Sequence, residues 1–223
     1  MKIIVDTKEK IAEMAAKRCA DTIRRDKTAV FGLDFARDLD IVYAAMAQDG
    51  KSCYKSATAF VTGEFSKGGG VARHMEESLS RGELFSHSRV FYPKTEEPGK
   101  FDEDIVMAGG MELLVCGLGL NGRLGFNEPA TEFDTLTHVQ KITDASKREL
   151  EKYLDMDDTA VTMGIKTLLG AKSVLLFAAG AEKAKIVHDV VYGKTITYIP
   201  ASMLQLHRDL TLYLDTAAAS GLD

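Results

Sequence analysis

The chain has 223 residues, 45% of them apolar and 27% charged, with a formal net charge of −5. This length and apolar content suit one domain over residues 1–223 with a substantial core. The acidic balance, with Lys and Arg dispersed among acids, argues against a nucleic-acid surface. The first ten residues mix charges and lack the apolar stretch of a signal peptide. The longest apolar run, 174–179, falls far short of the roughly 20 residues that span a bilayer, so a cytoplasmic protein without membrane contact is expected. Cys19, Cys53 and Cys116 show no Cys-x-x-Cys spacing; they read as reduced, mostly buried thiols rather than a disulfide framework or a zinc ribbon. The scattered histidines form no legible metal site.

In chain order, Ile11, Met14, Ala15, Cys19 and Ile23 recur at helical intervals and predict an amphipathic helix over 8–25. A β-rich run at 28–33 and a helix around 38–47 make the β-turn-α opening of a doubly wound fold. Further strands are expected at 57–61, 89–92, 112–117, 160–163, 173–178, 195–198 and 210–214, with helices in most gaps. This alternation predicts a three-layer, doubly wound, mostly parallel Rossmann-like α/β sheet whose ligands bind at the carboxyl ends of its strands. Mobile loops are expected at 66–70, where three glycines cluster, and at 94–104. The tail after Asp215 is expected to be frayed or briefly helical.

The most informative stretch is 113–129, LLVCGLGLNGRLGFNEP, an apolar strand entering a glycine-rich turn and then an acid. Gly117-x-Gly119-x-x-Gly122 spells a dinucleotide fingerprint, which needs its last glycine to open a helix facing a pyrophosphate. Pro129, the Phe126-Asn127-Glu128 segment and the mid-chain position favour an irregular loop instead.

The stretch resembles the Gly-x-Gly-x-Asp-Gly-His-Ile-(Gly/Ala)-Phe-Asn-Glu-Pro signature of the glucosamine-6-phosphate deaminase/isomerase family. Segments 160–169, 180–184 and 200–207 are similar to its Thr-Val-Gly-x-x-Thr-Leu, Gly-x-x-Lys-Ala and Ala-Ser-x-Leu-Gln-x-His stretches, in the same order. The sister lactonase family acting on phosphogluconate shares the fold but lacks Phe-Asn-Glu-Pro. The resemblance implies an amino-sugar phosphate substrate whose ring is opened, isomerised through an enol and stripped of ammonia. It implies no metal or organic cofactor. The resemblance also assigns ring opening to a histidine held by carboxylates, a group that exchanges a proton near neutral pH.

Against that pattern the chain is a divergent member. Asn121 stands where the family has aspartate and Arg123 where it has histidine; Glu128 matches the assisting glutamate. A guanidinium stays protonated above about pH 12 and cannot be the base. After the strand at 57–61, the family's enolising aspartate falls on Gly63, leaving Glu64 as the nearby acid, either swung inward or solvated on a loop. The family's phosphate turn is replaced by Gly32-Leu33-Asp34-Phe35-Ala36-Arg37-Asp38-Leu39, in which Asp34 and Asp38 oppose a phosphate and Arg37 is a candidate anion ligand. Arg208, Lys183 and Lys166 are further cationic candidates, and Gly119 and Gly122 shape the ligand loop.

Three readings follow. One is an isomerase/deaminase with a rearranged acid/base set on Glu128 and Glu64. The second is an inert sugar or sugar-phosphate binding homologue. The third is an enzyme for a non-phosphorylated or carboxylated sugar, with Arg123 on the carboxylate and Asp34 and Asp38 on hydroxyls. A homo-oligomer is compatible with all three. The site is expected at the strand ends near Leu33, Val61 and Gly117. Arg123, charged in a glycine-lined pocket, is expected to pair with Glu128 or to hold a bound anion.

Overall fold

The computed structural model describes residues 1–48, 54–80, 84–151 and 154–222. Thr7 caps the first helix, α1 (Lys8–Arg25), by accepting a hydrogen bond from the Lys10 amide at 3.4 Å. The helix buries Ile11, Ala15, Cys19 and Ile23 as their spacing predicts, but Met14 stays 42% exposed because Ala12 and Ala16 complete the inward stripe instead.

Among the described residues, seven parallel strands form the main sheet in the order β1-β10-β9-β6-β2-β3-β5. They span Lys2–Asp6 (β1), Val30–Leu33 (β2), Thr58–Val61 (β3), Val90–Phe91 (β5), Leu113–Gly117 (β6), Ser173–Ala178 (β9) and Leu210–Asp215 (β10). Every residue of β2 and β6 is buried, as expected for central strands covered on both faces. One face is packed by α1, α2 (Asp40–Gln48) and α3 (Gly70–Ser80). The other is packed by α4 (Pro98–Met107), α6 (Ile165–Leu169) and α7 (Ala184–Tyr192). The layered parallel α/β prediction therefore matches the architecture. No described helix is long and apolar enough to cross a membrane.

Several elements depart from expectation. Strand β1 was not predicted, because Lys2 and Asp6 flank only three apolar residues; it becomes an edge strand by pairing with β10. The strand expected at 160–163 leaves the main sheet. As β8 (Thr159–Thr162) it pairs antiparallel with β4 (Gly63–Phe65) and β7 (His138–Lys141) in a separate three-stranded sheet. No strand forms at 195–198, where the Ser202 hydroxyl bonds both the N–H and the C=O of Ile196 and Pro200 begins a 3₁₀ helix. The loop expected at 66–70 is a turn through 69, with Gly68 and Gly69 at positive φ, before Gly70 opens α3, whereas 94–104 carries helix because Pro98 opens α4. The tail is turned rather than frayed, with Ala218 buried and its N–H on the Asp215 carboxylate at 2.7 Å. Cys19 and Cys116 are buried free thiols; burial lifts Cys19 to about 12 and Cys116 well above the ordinary thiol value. Cys53 lies outside the described residues.

From β2 the chain moves outward to β3 and β5, then crosses back to β6 and proceeds the other way through β9 and β10. The direction therefore reverses between β2 and β6, which opens a crevice at their carboxyl ends. Asp34 bolts that point together. Its Oδ1 accepts from the Thr62 hydroxyl at 2.7 Å and the Phe35 amide at 2.9 Å, and its Oδ2 from the Gly117 amide at 3.0 Å. Its carbonyl accepts from the Tyr43 hydroxyl at 2.5 Å. Only 1% exposed, Asp34 is raised by burial against the lowering effect of Thr62, Gly117, Arg123 and Phe35. Asp34→Ala would strand three buried donors, so it should lower unfolding free energy by about 2–5 kcal/mol. Urea denaturation measures this, and a loss under about 1 kcal/mol would contradict the bolt.

Candidate functional site

After β6 the loop turns through Gly122 and Gly125, both at positive φ (+83° and +55°). It remains irregular, so Gly122 opens no helix and the dinucleotide reading has no support. Asn127, which sequence reasoning left without a role, pins the loop: its Nδ2 donates to the carbonyls of Leu124 and Met163, each at 2.8 Å.

Arg123 lies folded over Gly119, where a Cβ would sit 2.2 Å from the arginine Cγ. Its Nη1 donates to the Gly125 carbonyl at 2.7 Å, and its Nη2 is 3.4 Å from Glu149 Oε2. The side chain is only 3% exposed. The expected Arg123–Glu128 pair is thus replaced by an Arg123–Glu149 pair, because Glu149 reaches in from α5 (Asp144–Leu150). The same carboxylate meets Lys183 Nζ at 3.4 Å and the Leu120 amide at 3.4 Å. Lys183, also buried, donates to the Leu118 carbonyl and lies 3.8 Å from Asp38. Burial raises the Glu149 carboxyl, but Arg123, Lys183 and the Leu120 amide outweigh it and hold the group below the ordinary glutamate value. Its stabilising contribution is therefore complete above the unfolded value and lost as pH falls through the lower folded one. Burial raises the Asp38 carboxyl, with Lys183 opposing.

Glu128 belongs to a second network. Its carboxylate accepts from Asn121 Nδ2 at 2.9 Å and from the Thr143 hydroxyl at 3.0 Å, while Thr143 caps α5 by accepting from the Ser146 amide at 3.3 Å. Asn121 also donates to the Ser146 hydroxyl at 3.2 Å and accepts from the Arg123 amide at 3.2 Å. Asn121, Glu128 and Arg123 thus anchor α5 over the loop. The signal that could have found this is Thr143, a residue type that caps helix starts, with Ser146 and Glu149 one turn apart on one face of the helix it opens.

The remaining candidates separate. Glu64 is neither solvated nor aimed inward: it is buried in β4 and accepts from the Phe65, Val71 and Ala72 amides at 2.7, 2.9 and 2.8 Å, satisfying the open N-terminus of α3. At Gly63 a Cβ would lie 2.6 Å from the Phe126 ring, which also stacks on Phe35 at 4.3 Å, so the space of a side chain at Gly63 is already filled. Gly32, one residue before the end of β2, is packed closely against Met111 and Leu114. Asp34 is sealed in its bolt rather than presented to a ligand hydroxyl. Arg37 and Lys166 are exposed. Arg208 precedes β10 and so lies at the opposite, amino edge of the sheet, near Lys172 and His207. Among the described residues no group of three His, Cys, Asp or Glu side chains gathers to hold a metal.

Asn121→Asp would set two carboxylates where an amide now donates at 2.9 Å. It should lower unfolding free energy at pH 7.5 by about 1–3 kcal/mol. Urea denaturation of the variant checks this, and unchanged stability would mean that Asn121 does not hold Glu128.

The sequence matches no protein-family model. It is 32% identical to a glucosamine-6-phosphate deaminase of Hahella chejuensis, over 99% of this chain and 91% of that protein. The solved structure of a monomeric glucosamine-6-phosphate deaminase superposes with a TM-score of 0.93 at 28% identity, covering 99% of this chain and 100% of the other. The 6-phosphogluconolactonase of Trypanosoma cruzi, at 15% identity and a TM-score of 0.78 over 99% and 96% of the two chains, shares the fold. With the deaminase signature lying on the loop after β6 at the sheet's reversal point, the chain belongs to the glucosamine-6-phosphate deaminase family.

Proposed function

We propose that this chain is a cytoplasmic protein of amino-sugar metabolism that binds an amino-sugar phosphate at the carboxyl edge of its sheet and lacks the proton-transfer set for ordinary deamination. The observation that carries this reading is Arg123, a permanently charged group where the family signature has histidine, held by the Gly125 carbonyl and Glu149. A guanidinium cannot take up the ring hydroxyl proton. The rearranged-enzyme reading loses ground because Glu128 and Glu64 each accept three hydrogen bonds from the protein. The non-phosphorylated-sugar reading loses ground because Asp34 is sealed and Asp38 faces Lys183. Arg123, Lys183 and the Leu120 amide, converging on one carboxylate, support an anion-binding role instead.

Each missing acid/base group costs a working enzyme about 10²- to 10⁴-fold, although such losses do not add simply. Glucosamine 6-phosphate should bind saturably by calorimetry while ammonia release stays below about 10⁻² per second, against about 1–10³ per second for typical enzymes. Turnover in that typical range would overturn the loss of function, and absence of binding would overturn the ligand assignment.

A further inference from the structure

Glu149 occupies an unusual position: one carboxylate receives an amide, a guanidinium and an ammonium, from the loop after β6 and from the segment after β9. All three contacts measure 3.4 Å. Each donor is fixed in place independently of Glu149: Arg123 by the Gly125 carbonyl, Lys183 by the Leu118 carbonyl, and Leu120 as a backbone amide. A tetrahedral phosphate has more oxygens and more negative charge to offer the same three donors.

We propose that Glu149 is an internal anion plug, a carboxylate seated among three anion-binding donors, the Leu120 amide, Arg123 and Lys183, and that an incoming phosphate group displaces it from this cradle. The proposal rests on the reading that this edge binds a phosphorylated ligand. Displacement needs only a side-chain rotation, since the Glu149 side chain is 18% exposed while Leu150 and the Thr143–Glu128 bond keep α5 seated. Asp38, 3.8 Å from Lys183, stays beside the cradle and tempers its attraction for a dianion. The plug makes the site neutral when empty and selects against weak monoanions, which gain too little to replace a tethered carboxylate.

Calorimetry with inorganic phosphate and with glucosamine 6-phosphate, on the wild type and on Glu149→Gln, tests the plug. Glu149→Gln should bind inorganic phosphate about tenfold tighter or more, and adding Lys183→Ala should abolish the gain. Thermal melts confirm that each variant is folded. On the wild type, a phosphate titration followed by NMR should shift the Leu120 amide and the Glu149 carboxyl carbon with one dissociation constant, which keeps the proposal testable if a variant does not fold. A folded Glu149→Gln with unchanged phosphate affinity would overturn the plug, while wild-type binding of the sugar phosphate would leave the functional reading standing. Tighter phosphate binding by Glu149→Gln without preference for the sugar phosphate by either protein would support the plug and overturn the ligand assignment.

Discussion

A guanidinium buried at the reversal point of a parallel sheet has to be matched from within the protein, and the rest of the site follows from that constraint. Removing a charge from water costs several kcal/mol unless hydrogen bonds and an opposite charge replace the solvent. Arg123 meets the requirement with the Gly125 carbonyl and Glu149, and Glu149 in turn draws Lys183 and the Leu120 amide into one cluster. The short helix α5 has to lie across the loop to deliver that carboxylate. Its start is fixed there by Glu128 through Thr143 and by Asn121 through Ser146. Residues that the family signature associates with proton transfer are here bound up in holding a helix.

The same logic runs through the neighbouring positions. Gly63 lacks the acid that the family resemblance leads one to expect, and Phe126 has taken the space. Glu64, the acid on β4, is committed to its neighbour's amide at Phe65 and to the Val71 and Ala72 amides that begin α3. Asp34 ties β2, β3 and β6 together by accepting from Thr62, Phe35 and Gly117. Buried charged networks of this kind are weak evidence for high stability. Their consequence lies in chemistry, since a carboxylate already accepting three protein hydrogen bonds is poorly placed to take a substrate proton.

Local patterns carried much of the fold. The intervals of Ile11, Ala15, Cys19 and Ile23 marked α1, and the unbroken apolar run at 113–117 marked a central strand with the family signature behind it. Partners set by distant segments were not legible. Strand β1 exists only through β10, and β8 joins β4 and β7 although its own residues look like a main-sheet strand. In the site, Asn121, Arg123 and Gly63 were readable as departures from the family signature. What fills the vacated roles was not: nearness in sequence suggested Glu128 for Arg123, whereas the packing of α5 supplies Glu149, 26 residues from Arg123. Thr143, a residue type that caps helix starts, was a signal for that helix but not for where it docks.

On the proposed reading, no described group at this edge moves the proton between C2 and C1 of a bound amino-sugar phosphate. Solvent exchange reads that step directly, before and apart from ammonia release. Glucosamine 6-phosphate incubated with the protein in deuterium oxide, under conditions where calorimetry shows it bound, should acquire no deuterium at carbon in proton NMR beyond a protein-free control. Stereospecific incorporation that rises with protein concentration would contradict the account and show that a base acts at this site.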